Sequence, residues 1–253
     1  MAWLGGMGRG NIGTLVVALS LSVGFFAERP ALADERKILV ATFENIQVIG
    51  DIKVQVQTGK APSAKAKGDK KVLDALKLER VGTTLRVRVQ GALNNDKGVP
   101  MTQPLEVMLS TQAIKDMAVS GNGSLQISEV KQQDAVRMIV AGNGSIRVKK
   151  LLTDRFSADI DGNGRIDIID GKVRDGRVTL NGTGYLDATH VPMRTLRLEH
   201  IGNGESRVNV DEEANIFNRG TGTINVGGSG SCFVKQAGNA AINCARIEKG
   251  SRK

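Results

Sequence analysis

Met138-Ile139-Val140-Ala141-Gly142-Asn143-Gly144-Ser145-Ile146-Arg147-Val148 places apolar residues at every second position on both sides of a Gly-Asn-Gly triplet. Met138 and Val140 fall on one face before the triplet, Ile146 and Val148 on one face after it. Period-two alternation around a tight turn reads as strand, turn, strand. Twenty residues on, Ala158-Asp159-Ile160-Asp161-Gly162-Asn163-Gly164-Arg165-Ile166-Asp167-Ile168 repeats the pattern. The triplet also stands at Gly121-Asn122-Gly123, Gly182-Thr183-Gly184, Gly202-Asn203-Gly204 and Gly220-Thr221-Gly222, and in altered form at Gly238-Asn239-Ala240. The intervals between successive first glycines are 21, 20, 20, 20, 18 and 18 residues. One such triplet carries no information; seven in register define a repeat.

Alignment on the first glycine sorts the chain into columns. Four residues before it stand Met117, Met138, Ala158, Val178, Leu198, Ile216 and Val234, all apolar. Four and six residues after it the columns are again apolar apart from Ser206. Each inward column then forms a continuous apolar stack, which predicts an all-β fold: a right-handed parallel β-helix, or β-solenoid, of about seven coils of 18–21 residues. Between the glycines stand Asn or Thr, and Gly and Asn tolerate the positive φ that a sharp corner needs. Stacked Asn amides can hydrogen-bond up and down such a column.

Composition agrees. Residues 1–33 carry a three-part secretory pattern: Arg9, an apolar-dominated run from Ile12 to Ala27, and the small residues of Ala31-Leu32-Ala33. That run is shorter than the roughly 20 residues a membrane span needs. Cleavage after Ala33 leaves 220 residues and lowers the net charge from +9 to +8, since Arg9, Arg29 and Glu28 are lost. The mature part has no Trp, and its aromatics are Phe43, Phe156, Tyr185, Phe217 and Phe233. So few rings cannot furnish the aromatic girdles of a membrane barrel. Its core must be built from Val, Ile, Leu, Met and Ala, which suits thin stacked layers. The expected organisation is a signal peptide at 1–33, an N-terminal β-rich capping region with a first coil at 34–115, the glycine-turn solenoid at 116–247 and a basic tail at 248–253. Within 34–115, strands are expected at Ile46–Val56, Leu85–Val89 and Leu105–Leu109, with a short helix at Lys70–Leu78 and a polar loop at Ala92–Pro104.

Phe43-Glu44-Asn45-Ile46-Gln47-Val48, then Leu85-Arg86-Val87, then the glycine-turn repeats resemble the head GIN domain family of auto-transporter adhesins. The resemblance covers most of the mature chain. It implies a β-helix-like fold and export to the envelope of a Gram-negative bacterium, in the periplasm or at the cell surface. It supplies no active site and no cofactor.

Four constellations could carry chemistry. Asp159, Asp161, Asn163, Gly164, Asp167 and Asp170 match calcium-loop spacing. However, the last position lacks the bidentate Glu, and Ile160, Ile166 and Ile168 are wanted in the core, so an ordinary coil is expected. One outward column runs Gln126, Arg147, Asp167, Asp187, Arg207, Asn225, Asn243. Asp167 and Asp187, one strand spacing of about 4.8 Å apart, could mimic a glycosidase pair. A ladder of opposite charges, with Arg147 beside Asp167 and Arg207 beside Asp187, is the expected arrangement. Cys232 and Cys244 read as a disulfide in an exported protein, stapling the last coil with about 3 kcal/mol in the chain-entropy model. The column two residues before the first glycine turns polar at His200, Asn218 and Gln236, marking a candidate binding face. Neither histidine has a nucleophile beside it in a recognisable motif.

The sequence therefore predicts an exported, non-enzymatic binding or scaffolding protein without cofactor. Its net positive charge points to anionic polysaccharide or lipid headgroups, with an envelope protein as a further partner and nucleic acid excluded by export. A polysaccharide-active enzyme and a calcium-stabilised module are the alternatives.

Overall fold

The computed structural model describes residues 34–90 and 104–249. The secretory pattern, nearly all of the polar loop at 92–104 and the tail from 250 onward lie outside the described residues.

The glycine corners organise everything that follows. β8 (Asp116–Gly121) and β9 (Ser124–Ile127) flank the first triplet. β10 (Val130–Gly142) and β11 (Ser145–Val148) flank the second, and β12 (Leu151–Gly162) and β13 (Arg165–Ile168) the third. They stack in parallel, corner on corner: Met117↔Met138↔Ala158 before the triplets, Leu125↔Ile146↔Ile166 after them. β14 (Gly171–Gly182), β15 (Tyr185–Gly202), β16 (Glu205–Asn218), β17 (Thr223–Gln236) and β18 (Ala241–Lys249) continue the stack to the end. A third, short segment closes each middle coil, as in Val130↔Leu151↔Gly171.

Two demands explain the two glycines of each corner. Gly142 takes φ +105°, which L side chains avoid. Gly144 supplies clearance: a Cβ there would come within 2.5 Å of Val119 Cγ1 and 2.7 Å of the Gly123 carbonyl oxygen on the preceding coil. Outside the corners, Asn163 Nδ2 donates to Asn143 Oδ1 at 2.9 Å, and Asn143 Nδ2 to Asn122 Oδ1 at 3.0 Å. Inside, the columns are close to fully buried. Their volumes compensate from coil to coil. Phe156 shares a column with Gly176 and Leu196, and a Cβ on Gly176 would lie 3.1 Å from Leu196 Cδ1.

One expectation needs adjustment. Seven corners enclose six complete coils, so the solenoid has about six turns, one fewer than expected. The N-terminal region does contain a corner of the same kind. β2 (Asn45–Ile49) and β3 (Lys53–Thr58) meet at Gly50-Asp51-Ile52 and stack beneath β8 and β9, with Ile46↔Met117 and Val54↔Leu125. β6 (Thr84–Val89) and β7 (Glu106–Thr111) add one more parallel layer beyond β2 and β3. β4 (Ser63–Gly68) and β5 (Leu76–Val81) then run antiparallel to β7 and β6, and β1 (Asp34–Ile38) runs antiparallel to β4. Helix α1 (Lys70–Ala75) brings Val72 and Leu73 over this end, both 2% exposed.

Candidate binding surface

The outward column after the corners is in register from β9 to β18: Gln126, Arg147, Asp167, Asp187, Arg207, Asn225, Asn243. Asp167 is almost covered, and it accepts hydrogen bonds from Arg147 at 3.0 Å and from Arg165 Nε at 2.7 Å. Asp187 accepts from the Tyr185 hydroxyl at 3.0 Å, from Thr189 Oγ1 at 2.8 Å and from the Thr189 backbone N–H at 3.1 Å. Burial pushes the Asp187 carboxyl up, but the Thr189 and Tyr185 hydrogen bonds outweigh it and hold the group below its ordinary value. Arg207 departs from the simple ladder. Its Nε donates to Glu205 Oε1 at 2.7 Å, so its direct partner is a neighbour on its own strand rather than Asp187. The Tyr185 ring lies between two guanidinium groups, Arg165 at 4.1 Å and Arg207 at 5.5 Å from its centroid. Glycoside hydrolysis by a carboxyl pair requires one group kept protonated near neutrality. Here Asp187 is shifted the other way, and Asp167 is committed to two arginines.

The calcium-spaced residues do not converge. Asp159 faces Arg137 at 4.0 Å, Asp161 accepts from Asn181 Nδ2 at 3.1 Å, and Asn163 belongs to the corner ladder. Asp167 serves the arginines, and Asp170 is exposed at the turn after β13. The segment runs straight through its corner with Ile160, Ile166 and Ile168 buried. Among the described residues no three His, Cys, Asp or Glu side chains gather as a metal-holding group.

The polar trio is not an open face. His200 and Asn218 are 0% and 1% exposed, and only Gln236 reaches solvent. Stacked coils cover both sides of the column, so a polar residue there is enclosed rather than displayed. Asn218 satisfies itself locally, donating to the Gly220 carbonyl at 3.2 Å and accepting from the Gly220 N–H at 3.0 Å. Cys232 and Cys244 form the disulfide.

Sequence reasoning missed a groove of about 730 Å³ lined by Thr189, Arg207, Asn225, Gly227, Asn243 and Ala245, among others. It lies where the coils shorten. Ala188 and Pro192 on β15 stack against the consecutive residues Val208 and Asn209, so the intervening residues around Thr189 overhang the next coil. Asn209 Nδ2 holds that overhang through the Thr189 carbonyl at 3.2 Å. Farther on, Val226 and Ser231 stack against Cys244 and Arg246, so β18 cuts the corner shorter still. The sequence signal was present in the drop of the repeat from 20 to 18 residues at Gly202. Arg207, Asn225 and Asn243 line one wall, with Asn243 Nδ2 donating to Asn225 Oδ1 at 2.7 Å. The terminal nitrogens of Arg207 have no hydrogen-bond partner among the described residues.

A family model described as "Putative auto-transporter adhesin, head GIN domain" matches residues 42–230. Among curated proteins none matches the sequence. Solved structures do share the fold. A crystal structure named as a putative lipid binding protein from Parabacteroides distasonis ATCC 8503 aligns with TM-score 0.64 at 20% identity, covering 87% of this chain and 98% of that one. One named as a putative adhesin from Bacteroides fragilis NCTC 9343 aligns with TM-score 0.71 at 15% identity, covering 86% and 96%. Another so named, from Parabacteroides merdae ATCC 43184, gives 0.66 at 18% identity over 87% and 97%. At these identities the likeness shows the fold alone.

Proposed function

The chain belongs to the head GIN domain family of auto-transporter adhesins, and we propose that it is an exported, non-enzymatic binding module that engages acidic polysaccharide of the bacterial envelope. The observation that carries this reading is the outward column. Its carboxylates are committed to fixed partners, whereas its C-terminal members, Arg207, Asn225 and Asn243, line an open groove. A guanidinium with free N–H donors recognises a carboxylate. Neighbouring amides offer donors and acceptors to hydroxyl groups. Ile242, half-buried at the groove, adds an apolar contact against which the C–H face of a sugar ring can lie. The relative named as lipid binding makes an anionic headgroup the competing ligand, with the same anion chemistry.

The test is calorimetric titration of the mature chain with polygalacturonate, with dextran as the neutral control and phosphatidylglycerol vesicles as the lipid arm. Binding of polygalacturonate alone, weakened at least severalfold by Arg207→Ala, supports the reading. Binding to vesicles alone moves the ligand to lipid. Release of reducing ends from the polymer, abolished by Asp187→Asn, would overturn the non-enzymatic assignment.

A further inference from the structure

The two ends of the solenoid are built differently. At the N-terminal end, antiparallel strands and α1 close the stack, and Val72, Leu73 and Leu76 are buried beneath solvent-facing lysines. At the C-terminal end, β18 pairs with β17 and with no other strand among the described residues. Its inward residues continue the core columns, and among the described residues no coil lies above them. Ile247 stacks on the wholly buried Cys232 and is itself 49% exposed. Ile242, Cys244 and Val234 are only partly covered. A solenoid that leaves its interior open in this way needs a cover, because the free edge carries unpaired backbone groups and apolar side chains together.

We infer that the cover is a second copy of the same chain, joined by antiparallel pairing of the two β18 edges about a two-fold axis at Ile247. The sequence of the edge is self-complementary in that register. Arg246, Ile247 and Glu248 are consecutive, and antiparallel pairing centred on Ile247 sets Arg246 of each copy opposite Glu248 of the other. Residues directly opposite in an antiparallel pair point to the same face. Arg246 and Glu248 stack on Ser231 and Phe233, in the outward columns, so both cross-copy charge pairs form on the outer surface. Ile247 lies in the inward column, so Ile247 meets Ile247 of the second copy inside the joined core. A two-fold axis perpendicular to this sheet is also perpendicular to the stacking direction, so one closed dimer results and both open ends are consumed. The inference is independent of what fills the groove, although a dimer would place two grooves in one particle and raise avidity for a polymer.

Sedimentation velocity of the mature, disulfide-intact chain over micromolar concentrations tests it. A reversible monomer–dimer equilibrium is expected. Arg246→Glu and Glu248→Arg should each raise the dimer dissociation constant by roughly tenfold, because each places two pairs of like charges across the axis. The double swap, Arg246→Glu with Glu248→Arg, should restore dimerisation. Circular dichroism shows whether each variant keeps its fold, and the wild-type mass stands as a test even where a variant does not. A chain that stays monomeric throughout, one that polymerises beyond dimer, or a double swap no better than the single changes would each overturn the inference.

Discussion

His200 occupies the place that Leu180 fills one coil earlier, and its imidazole is wholly enclosed with neither ring nitrogen hydrogen-bonded among the described residues. Ser206, across the Gly202-Asn203-Gly204 corner, is equally buried with an unpaired hydroxyl. Burial pushes the His200 imidazole below its ordinary value of 6.5, and the Gly202 backbone, whose approach falls short of a full hydrogen bond, offsets only part of that. Well above pH 6.5 the ring is neutral in both the folded and the unfolded chain, and its contribution to stability does not depend on pH. As pH falls through 6.5 the unfolded chain takes up a proton that the folded chain refuses, and stability declines by at most about 1.4 kcal/mol per pH unit. Asp187 acts in a lower window. Its depressed carboxyl stabilises the fold at neutral pH and loses that effect only as pH falls through the carboxylate range. Urea denaturation should therefore show stability falling between about pH 7 and about pH 5 in the wild type, with this slope reduced in His200→Leu. The same substitution should add about 1–3 kcal/mol at neutral pH, because it replaces an enclosed, unpaired polar ring with the residue type the column already uses. An unchanged slope would show that His200 is not the titrating group.

At the scale of the corner, conformation and clearance can be separated. Gly50 and Gly162 both take positive φ, +96° and +109°. A Cβ on Gly50 would meet nothing within 4 Å, whereas one on Gly162 would come 2.7 Å from the Gly142 carbonyl oxygen. Gly50→Ala should then cost about 1–2 kcal/mol, the price of the left-handed backbone alone. Gly162→Ala should cost that plus about 1–3 kcal/mol for crowding between coils. Equal losses in paired thermal melts would show that stacking does not set the glycine requirement. The contrast also explains what could be read in advance. The six complete triplets were legible because each of those corners sits on another and needs its second glycine for clearance, as Gly144 does above Gly123, whereas the last corner carries the small Ala240 in that place. The Gly50 corner was not, because its third position is Ile52, a buried core residue, and no glycine triplet marks it. The core columns followed from period two, which is a local property of each strand. The groove did not, because it arises from a mismatch of length between successive coils around Thr189, and one coil's sequence does not state its offset from the next. His200 and Asn218 were misplaced for a related reason. Polarity in an inward column signals a cost within the stack, and it says nothing of exposure when coils cover both sides.

The described residues form a stack in which each coil touches the coils before and after it, so its stability is a sum of coil terms and nearest-neighbour interfaces. The middle coils have two neighbours and fully buried columns. The last has one neighbour among the described residues, and the Cys232–Cys244 disulfide ties it to the strand beneath. Closing a loop with a sequence separation of 12 adds about 3 kcal/mol in the chain-entropy model. In a stack, that contribution acts where the loop is, and reduction should fray the end without melting the rest. Hydrogen exchange on the mature chain, with and without reductant, distinguishes this from a single cooperative unit. Amides of β18 and of β17 beyond Gly227 should exchange much faster after reduction. Those of β12 and β13, several coils away, should keep their protection. Dimerisation through β18 would oppose the fraying, so the reduced chain should lose protection more steeply on dilution than the oxidised chain. A uniform loss of protection from β8 to β18 would mean that the solenoid unfolds as one body, and that the disulfide supports all of it rather than its last coil.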